Sequence, residues 1–318
     1  MFFKRVFSYL FPFIFAAGAA CTILTTNTLA ALTRKELEMN YQNSLKKEEQ
    51  ELKTNLFTLV DIEDQNEWQE IKNNLQSDYK ELCSDELEIT TPLPAKLANP
   101  IVDLLKEKKI RTMLNIKNVV RDPGDLKITA FKKNGQTITF SCDESLGADA
   151  ATNQFNVFFD PELVLETHAN TAEIKATVAH ELIHIANEDV FDTYCIERLY
   201  RERRKKIKVP RKKYRKAKGK WERFHEKRAD LLSGLIEPEY AQAHEQHFKR
   251  NMPTKECFKS TSTHPTDRQR YGYVKKLVND LHNTIPEKNY TLPIFIFLIL
   301  LLLIFAHLAV RIKNCKSK

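Results

Sequence analysis

The chain is 318 residues long, 42% hydrophobic and 10% aromatic, with a formal net charge of +8 and only 7 glycines. Such a length holds one sizeable domain with appendages or two small ones, and so few glycines argue against glycine-rich phosphate loops and repetitive β architectures. The basic excess is local: residues 198–228 carry 17 Lys or Arg against three Glu, a net of +14, so everything else sums to −6.

Two apolar stretches stand at the ends. Val6–Leu24 follows Lys4 and Arg5, so residues 1–32 read either as a signal peptide cut after Thr28–Leu29–Ala30 or as an uncleaved membrane anchor. Leu292–Val310 has His307 as its only ionisable residue and is long enough to cross a hydrocarbon core. A transmembrane helix is therefore expected at 291–310, followed by a basic tail at 311–318. Basic residues flank both outer ends, and the positive-inside rule then places the middle of the chain on the extracytoplasmic side, periplasmic or luminal. Cys83, Cys142, Cys195 and Cys257 lie in that middle, where two disulfides and four free thiols both fit.

Residues 33–118 read as a helical spacer. Leu45, Leu52, Leu56 and Leu59, then Trp68, Ile71, Leu75, Tyr79 and Leu82, recur at helical spacing until Pro92, Pro94 and Pro100 interrupt the pattern. A β region follows. Leu126–Phe131 and Thr137–Phe140 alternate, and Asn134–Gly135 supplies a turn that tolerates positive φ, so a hairpin is predicted. Phe155–Phe159 is a third predicted strand. Strands followed by helices imply an α+β domain.

Asn170–Asn187 then predicts a helix, capped by Asn170 with Glu173 three residues on. On it His180 and His184 are four residues apart, so both imidazoles leave one face and can share a tetrahedral zinc. Glu181 reaches the same space without being a ligand, as a general base must. A catalytic zinc needs a third protein ligand. The next predicted helix, Trp221–Ile236, offers Glu226 for that role and Asp230 on the same face to brace a ligating imidazole; His225 is an alternative ligand a quarter-turn away.

The His180–Glu181–Leu182–Ile183–His184 run followed by Glu226–Lys227–Arg228–Ala229–Asp230 resembles the gluzincin zinc metallopeptidases of the HtpX, Oma and CaaX-prenyl-protease type. Two further segments resemble that family: Asn153–Gln154–Phe155 ahead of a strand, and Ser262–Thr263–His264–Pro265 with Arg270 six residues after the histidine. The four elements stand in the family's order between residues 125 and 280. The family's Pro-Gly-Gly is replaced by Asn156–Val157–Phe158–Phe159, and apolar spans occur only at the ends of the chain.

The resemblance implies a zincin-like α+β metallopeptidase domain at 119–285 that binds one Zn2+ and cleaves polypeptides. His180, His184 and Glu226 would hold the metal, Glu181 and His264 would be catalytic, and Asp230 and Arg270 would support them. Asn153, Phe155 and Val157 would contact the peptide along an edge strand. The expected role is protein quality control in the membrane or envelope. An inactive zincin fold and a basic membrane-tethered scaffold are the competing readings. The basic insert at 198–220 could touch anionic lipid; Tyr200, Tyr214 and Trp221 are too sparse to stack on nucleic-acid bases.

Overall fold

Alternating polarity builds the sheet. The computed structural model describes residues 33–84, 91–122, 124, 126–146, 148–168, 170–252 and 265–284. In it β1 (Ile116–Arg121), β2 (Lys127–Lys132) and β3 (Thr137–Cys142) form an antiparallel meander. The turn between β2 and β3 places Gly135 at φ +83, as the Asn134–Gly135 pair predicts. β5 (Asn156–Phe159) adds parallel to β3, and β4 (Ala150–Thr152) pairs antiparallel on its far side, giving the order β1-β2-β3-β5-β4. Ile128, Ala130, Ile138, Phe140, Val157 and Phe159 are all fully buried on one face. Each large side chain so buried contributes about 1.5–3 kcal/mol.

That face is covered by helices. α3 (Ala95–Lys106) and α4 (Lys108–Leu114) precede the sheet; α5 (Pro161–Thr167) and α6 (Thr171–Ala186) follow it. Leu97, Ile101 and Leu104 of α3 and Val178 and Leu182 of α6 share one hydrophobic cluster with the sheet. α3 and α4 thus belong to the core that carries α6. α7 (Asp189–Ile207), α8 (Arg211–Ile236), α9 (Pro238–Asn251) and α10 (Asp267–His282) complete the helical layer, with α1 (Arg34–Val60) and α2 (Gln65–Ser84) ahead of them. The chain divides into two compact units, Glu38–His282 and, separately, Met1–Leu37 with Asn283–Lys318. Of the latter's described residues, Thr33 and Glu36 exchange backbone and side-chain hydrogen bonds (3.3 and 2.8 Å), a capping box at the start of α1.

Three sequence expectations are corrected. The helical reading to Asn118 overruns, because Asn115 adopts a left-handed conformation (φ 57) that ends α4 and β-branched Ile116, Val119 and Val120 run as a strand. The second site helix begins at Arg211 rather than Trp221, so much of the basic insert is helical. The strand at 155–159 is not an edge: β5 is paired on both sides, and β4 is the edge strand beside it.

Cys142 and Cys195 are buried free thiols and Cys83 a half-buried one; Cys257 lies outside the described residues. So do the apolar stretches Val6–Leu24 and Leu292–Val310. Among the described residues, no helix is long and apolar enough to cross a membrane.

Candidate metal centre

Helix α6 is fixed at its start before it presents its histidines. The Asn170 side chain accepts the Glu173 N–H at 3.0 Å, and the buried Glu173 carboxylate accepts two bonds from Arg250 of α9, at 2.7 and 2.5 Å. One turn apart, His180 and His184 bring their Nε2 atoms within 3.0 Å of each other. Glu226 arrives from α8, with one carboxylate oxygen 3.4 Å from Nε2 of His180 and the other 3.5 Å from Nε2 of His184. Tetrahedral ligands 2.0–2.1 Å from one ion lie about 3.3 Å from each other. The three donors therefore fit a single small cation without rearrangement, and they form one group able to hold a metal.

Each imidazole has a carboxylate at its other nitrogen. Nδ1 of His184 lies 2.8 Å from Oδ2 of Asp189, and Nδ1 of His180 lies 2.9 Å from Oδ1 of Asp230, somewhat off the N–H axis. Such partners fix the ring's tautomer and raise its basicity as a ligand. Asp230 is fully buried and accepts from Arg270 at 2.8 and 2.6 Å and from the Tyr273 hydroxyl at 2.6 Å. Asp189 is held by Arg228, whose guanidinium also meets Glu49 of α1 at 2.9 Å. Helices α1, α6, α7, α8 and α10 all contribute to one bonded network.

Its electrostatics favour a cation. Burial would raise the Asp230 carboxyl, but Arg270 and His180 outweigh it and hold it far below the usual range. Burial disfavours charge on His180, yet Asp230 and Glu226 more than offset this and lift its pKa to about 10. His184 is shifted upward in the same sense by Asp189 and Glu226 against its own burial. The carboxylates of Glu49, Asp189, Glu226 and Asp230 outnumber the two guanidinium groups they meet, Arg228 and Arg270.

The group opens into a cleft of about 480 Å³ lined by β4, His180, Glu181, His184, Glu226 and Arg270. Glu181 is buried in its wall, and that burial raises its pKa against the opposing pull of His180 and His184. A carboxylate so placed can take a proton and later return it. The edge of β4 not used by β5 runs beside this cleft.

Two other side-chain groups have the composition of a metal site. In Asp149–His168–His247 both nitrogens of His168 are already engaged: Nδ1 with Thr167 and Val164 (2.8 and 3.1 Å), Nε2 with Thr177 (2.7 Å). In His180–Asp230–His244, Asp230 is saturated by Arg270 and Tyr273, and His244 pairs with Ser233 at 2.9 Å. Both are hydrogen-bonded networks.

The structure thus brings together His180, Glu181, His184, Glu226, Asp230 and Arg270. His225 does not join them; its Nε2 sits 3.8 Å from Asp189 and its ring packs edge-on against Trp221. The proposed peptide contacts do not reach the cleft either. Val157 is fully buried in the core, and the Asn153 side chain accepts the N–H groups of Phe155 and Asn156 (2.8 Å each), holding the turn between β4 and β5. Phe155 packs toward Tyr79, its ring centroid 6.4 Å away. These side chains shape the sheet because β5 is internal. His264 lies outside the described residues. Asp189, Arg228 and Tyr273 were not singled out from sequence. Asp189 reaches His184 only because Glu188 turns through a left-handed conformation (φ 58), and no glycine announces that turn.

No protein-family model, curated protein or solved structure matches the chain. Fold and site define an α+β protein whose His/His/Glu group could hold a metal ion.

Proposed function

We propose that the protein is a zinc-dependent endopeptidase tethered to a membrane by its terminal apolar segments, acting on unfolded polypeptides on the extracytoplasmic side. The observation that carries this reading is the His180–His184–Glu226 triangle, 3.0–3.5 Å on its sides, opening into a cleft that also holds Glu181. Two imidazoles and one carboxylate are the donor set of hydrolytic zinc sites, with a fourth position left for the reaction. When bound, zinc supplies Lewis acidity toward a carbonyl and lowers the pKa of water toward neutrality.

The chain's own residues do the rest. Glu181 takes a proton from the attacking water and returns it to the leaving amine. Asp189 and Asp230 keep the imidazoles oriented, and Arg270 holds Asp230 ionised. An extended polypeptide lies along the open edge of β4, held mainly by main-chain hydrogen bonds, which gives affinity with little sequence selectivity. Only the Ala150, Ala151 and Thr152 side chains are present on that strand, too small to form deep side-chain pockets.

The test is metal content and casein cleavage measured together on the full chain, Glu181→Gln and Glu226→Ala. Wild type is expected to hold about one zinc and cleave. Glu181→Gln should keep the metal and lose at least about 100-fold in rate; Glu226→Ala should lose the metal. A folded wild-type chain without zinc, or a Glu181→Gln variant of undiminished activity, overturns the reading.

A further inference from the structure

The basic insert is a projecting arm. α7 and α8 run antiparallel, and their side chains meet in a ladder: Asp189 with Arg228, Glu197 with Lys218, and Tyr200 stacked on Tyr214 at 3.7 Å and 2°. From Asp189 to Ile207 the arm extends about 27 Å at 1.5 Å per residue. Among the described residues, support from the rest of the molecule stops near Arg203, which binds Glu67 at 2.9 Å and the carbonyl of Asp61. Beyond that point the two helices are joined only by Lys208–Pro210, with Lys208 left-handed at φ 51.

Ten Lys and Arg side chains between positions 204 and 220 are exposed, and none of these ten takes part in a described ion pair. Sequence position 203–221 contains no acid at all. The flanking carboxylates are used elsewhere: Glu202 pairs with Arg198 at 2.6 Å, Glu222 with Lys218 at 2.9 Å. So dense a cationic surface repels itself, and a solvated helix face normally intersperses both signs. Here nothing within the described structure offsets it.

The geometry selects the partner. Arg204, Lys205 and Lys206 are consecutive on α7, and Arg211, Lys212 and Lys213 on α8, so at 100° per residue the charge surrounds the tip instead of lining one face. A tip positive on all sides suits a broad anionic plane better than a shaped pocket on another protein. Half-buried Ile207 and Val209 lie between the cations, an arrangement that can enter the boundary between headgroups and acyl chains. The aromatic rings that could stack on nucleic-acid bases are unavailable for that role: Tyr200 and Tyr214 are buried against each other, and Trp221 is buried. We infer that the tip of the α7–α8 arm, residues 204–216, docks on the anionic phospholipid surface of a bilayer. This inference stands independently of the metal.

The experiment places the full chain in phosphatidylcholine nanodiscs and measures its co-sedimentation with separate vesicles. One set is pure phosphatidylcholine; the other contains about 30% phosphatidylglycerol. Binding is expected only to the anionic set, and it should be abolished by about 0.5 M salt. The quadruple variant Arg204→Gln, Lys205→Gln, Lys212→Gln, Lys213→Gln should bind roughly 1,000-fold more weakly. These side chains are exposed and bridge no described residue, so the fold is not at stake. Equal binding to neutral vesicles, undiminished binding of the variant, or preferential capture of RNA or DNA at the same salt overturns the proposal. Zinc content and casein cleavage of the quadruple variant should match wild type, which separates this outcome from failure of the peptidase reading.

Discussion

At the scale of single residues, the metal triangle depends on atoms that never touch the ion. His184 is oriented by Asp189, which is oriented in turn by Arg228. Replacing Asp189 with Asn keeps the shape but removes the anion, so Arg228 is left with Glu49 alone and the imidazole loses its strongest acceptor. Metal affinity should fall about 10–100-fold, read by competition with a chromogenic chelator, while the far-ultraviolet circular dichroism is unchanged. An unaltered affinity would show that the 2.8 Å contact is incidental. The comparison with Asp230 is instructive. Its position, four residues after Glu226 on one helix, is visible in the sequence because α-helical periodicity alone puts the two on one face. Asp189 follows His184 by five residues across a helix break, and only the backbone turn at Glu188 returns it to the ring. Residues placed by periodicity can be read ahead of the structure; those placed by an unheralded left-handed residue cannot.

At the scale of elements, the helices that carry the site pack at close quarters where α8 ends. A β-carbon added to Gly234 would lie 3.0 Å from Cβ and 3.2 Å from Cα of Ala241 in α9, and 2.8 Å from Leu277 of α10. The glycine is there for proximity, since its backbone is helical. Gly234→Ala improves helix propensity by about 1 kcal/mol, but it forces α9 backbone away from α8. Overpacking of this kind costs about 1–3 kcal/mol, so denaturant titration should show a net loss or, at best, no gain. A clear stabilisation would mean that α9 shifts freely. The sheet teaches a related lesson. The β2–β3 hairpin was legible because a short turn carrying Asn134–Gly135 and period-two alternation coincide. β4 was not, being three small residues long, and without it β5 passes for an edge. Pairing order is a property of the assembled sheet, and a strand's own sequence carries little of it.

At the scale of the whole molecule, stability should have a distinct acid limb. His247 is driven down to about 4, chiefly by burial and then by His168 and Arg270. An unfolded histidine takes up its proton near 6.5, so between pH 6.5 and about 4 the unfolded chain binds a proton that the folded chain refuses. Stability is then lost as pH falls through that window, by at most about 1.4 kcal/mol per pH unit from this one group. Urea titrations of wild type and His247→Gln at pH 7, 6, 5 and 4.5 would test it. The variant's curve should be shallower over the same range, and parallel curves would refute the assignment. Such buried neutral imidazoles are hard to foresee, because a histidine in a helix pattern looks the same whether it faces solvent, a cation or the core.

The arm formed by α7 and α8 bears on how molecules of this kind diverge. His184 and Glu226 are 42 positions apart in sequence, yet their meeting is decided at the base of the arm, by the rungs from Asp189–Arg228 to Glu197–Lys218. Residues added to or removed from the tip leave those rungs in register. The interval between the histidine pair and the glutamate is therefore free to drift over generations. Any search that fixes this interval would pass over kin built around the same centre.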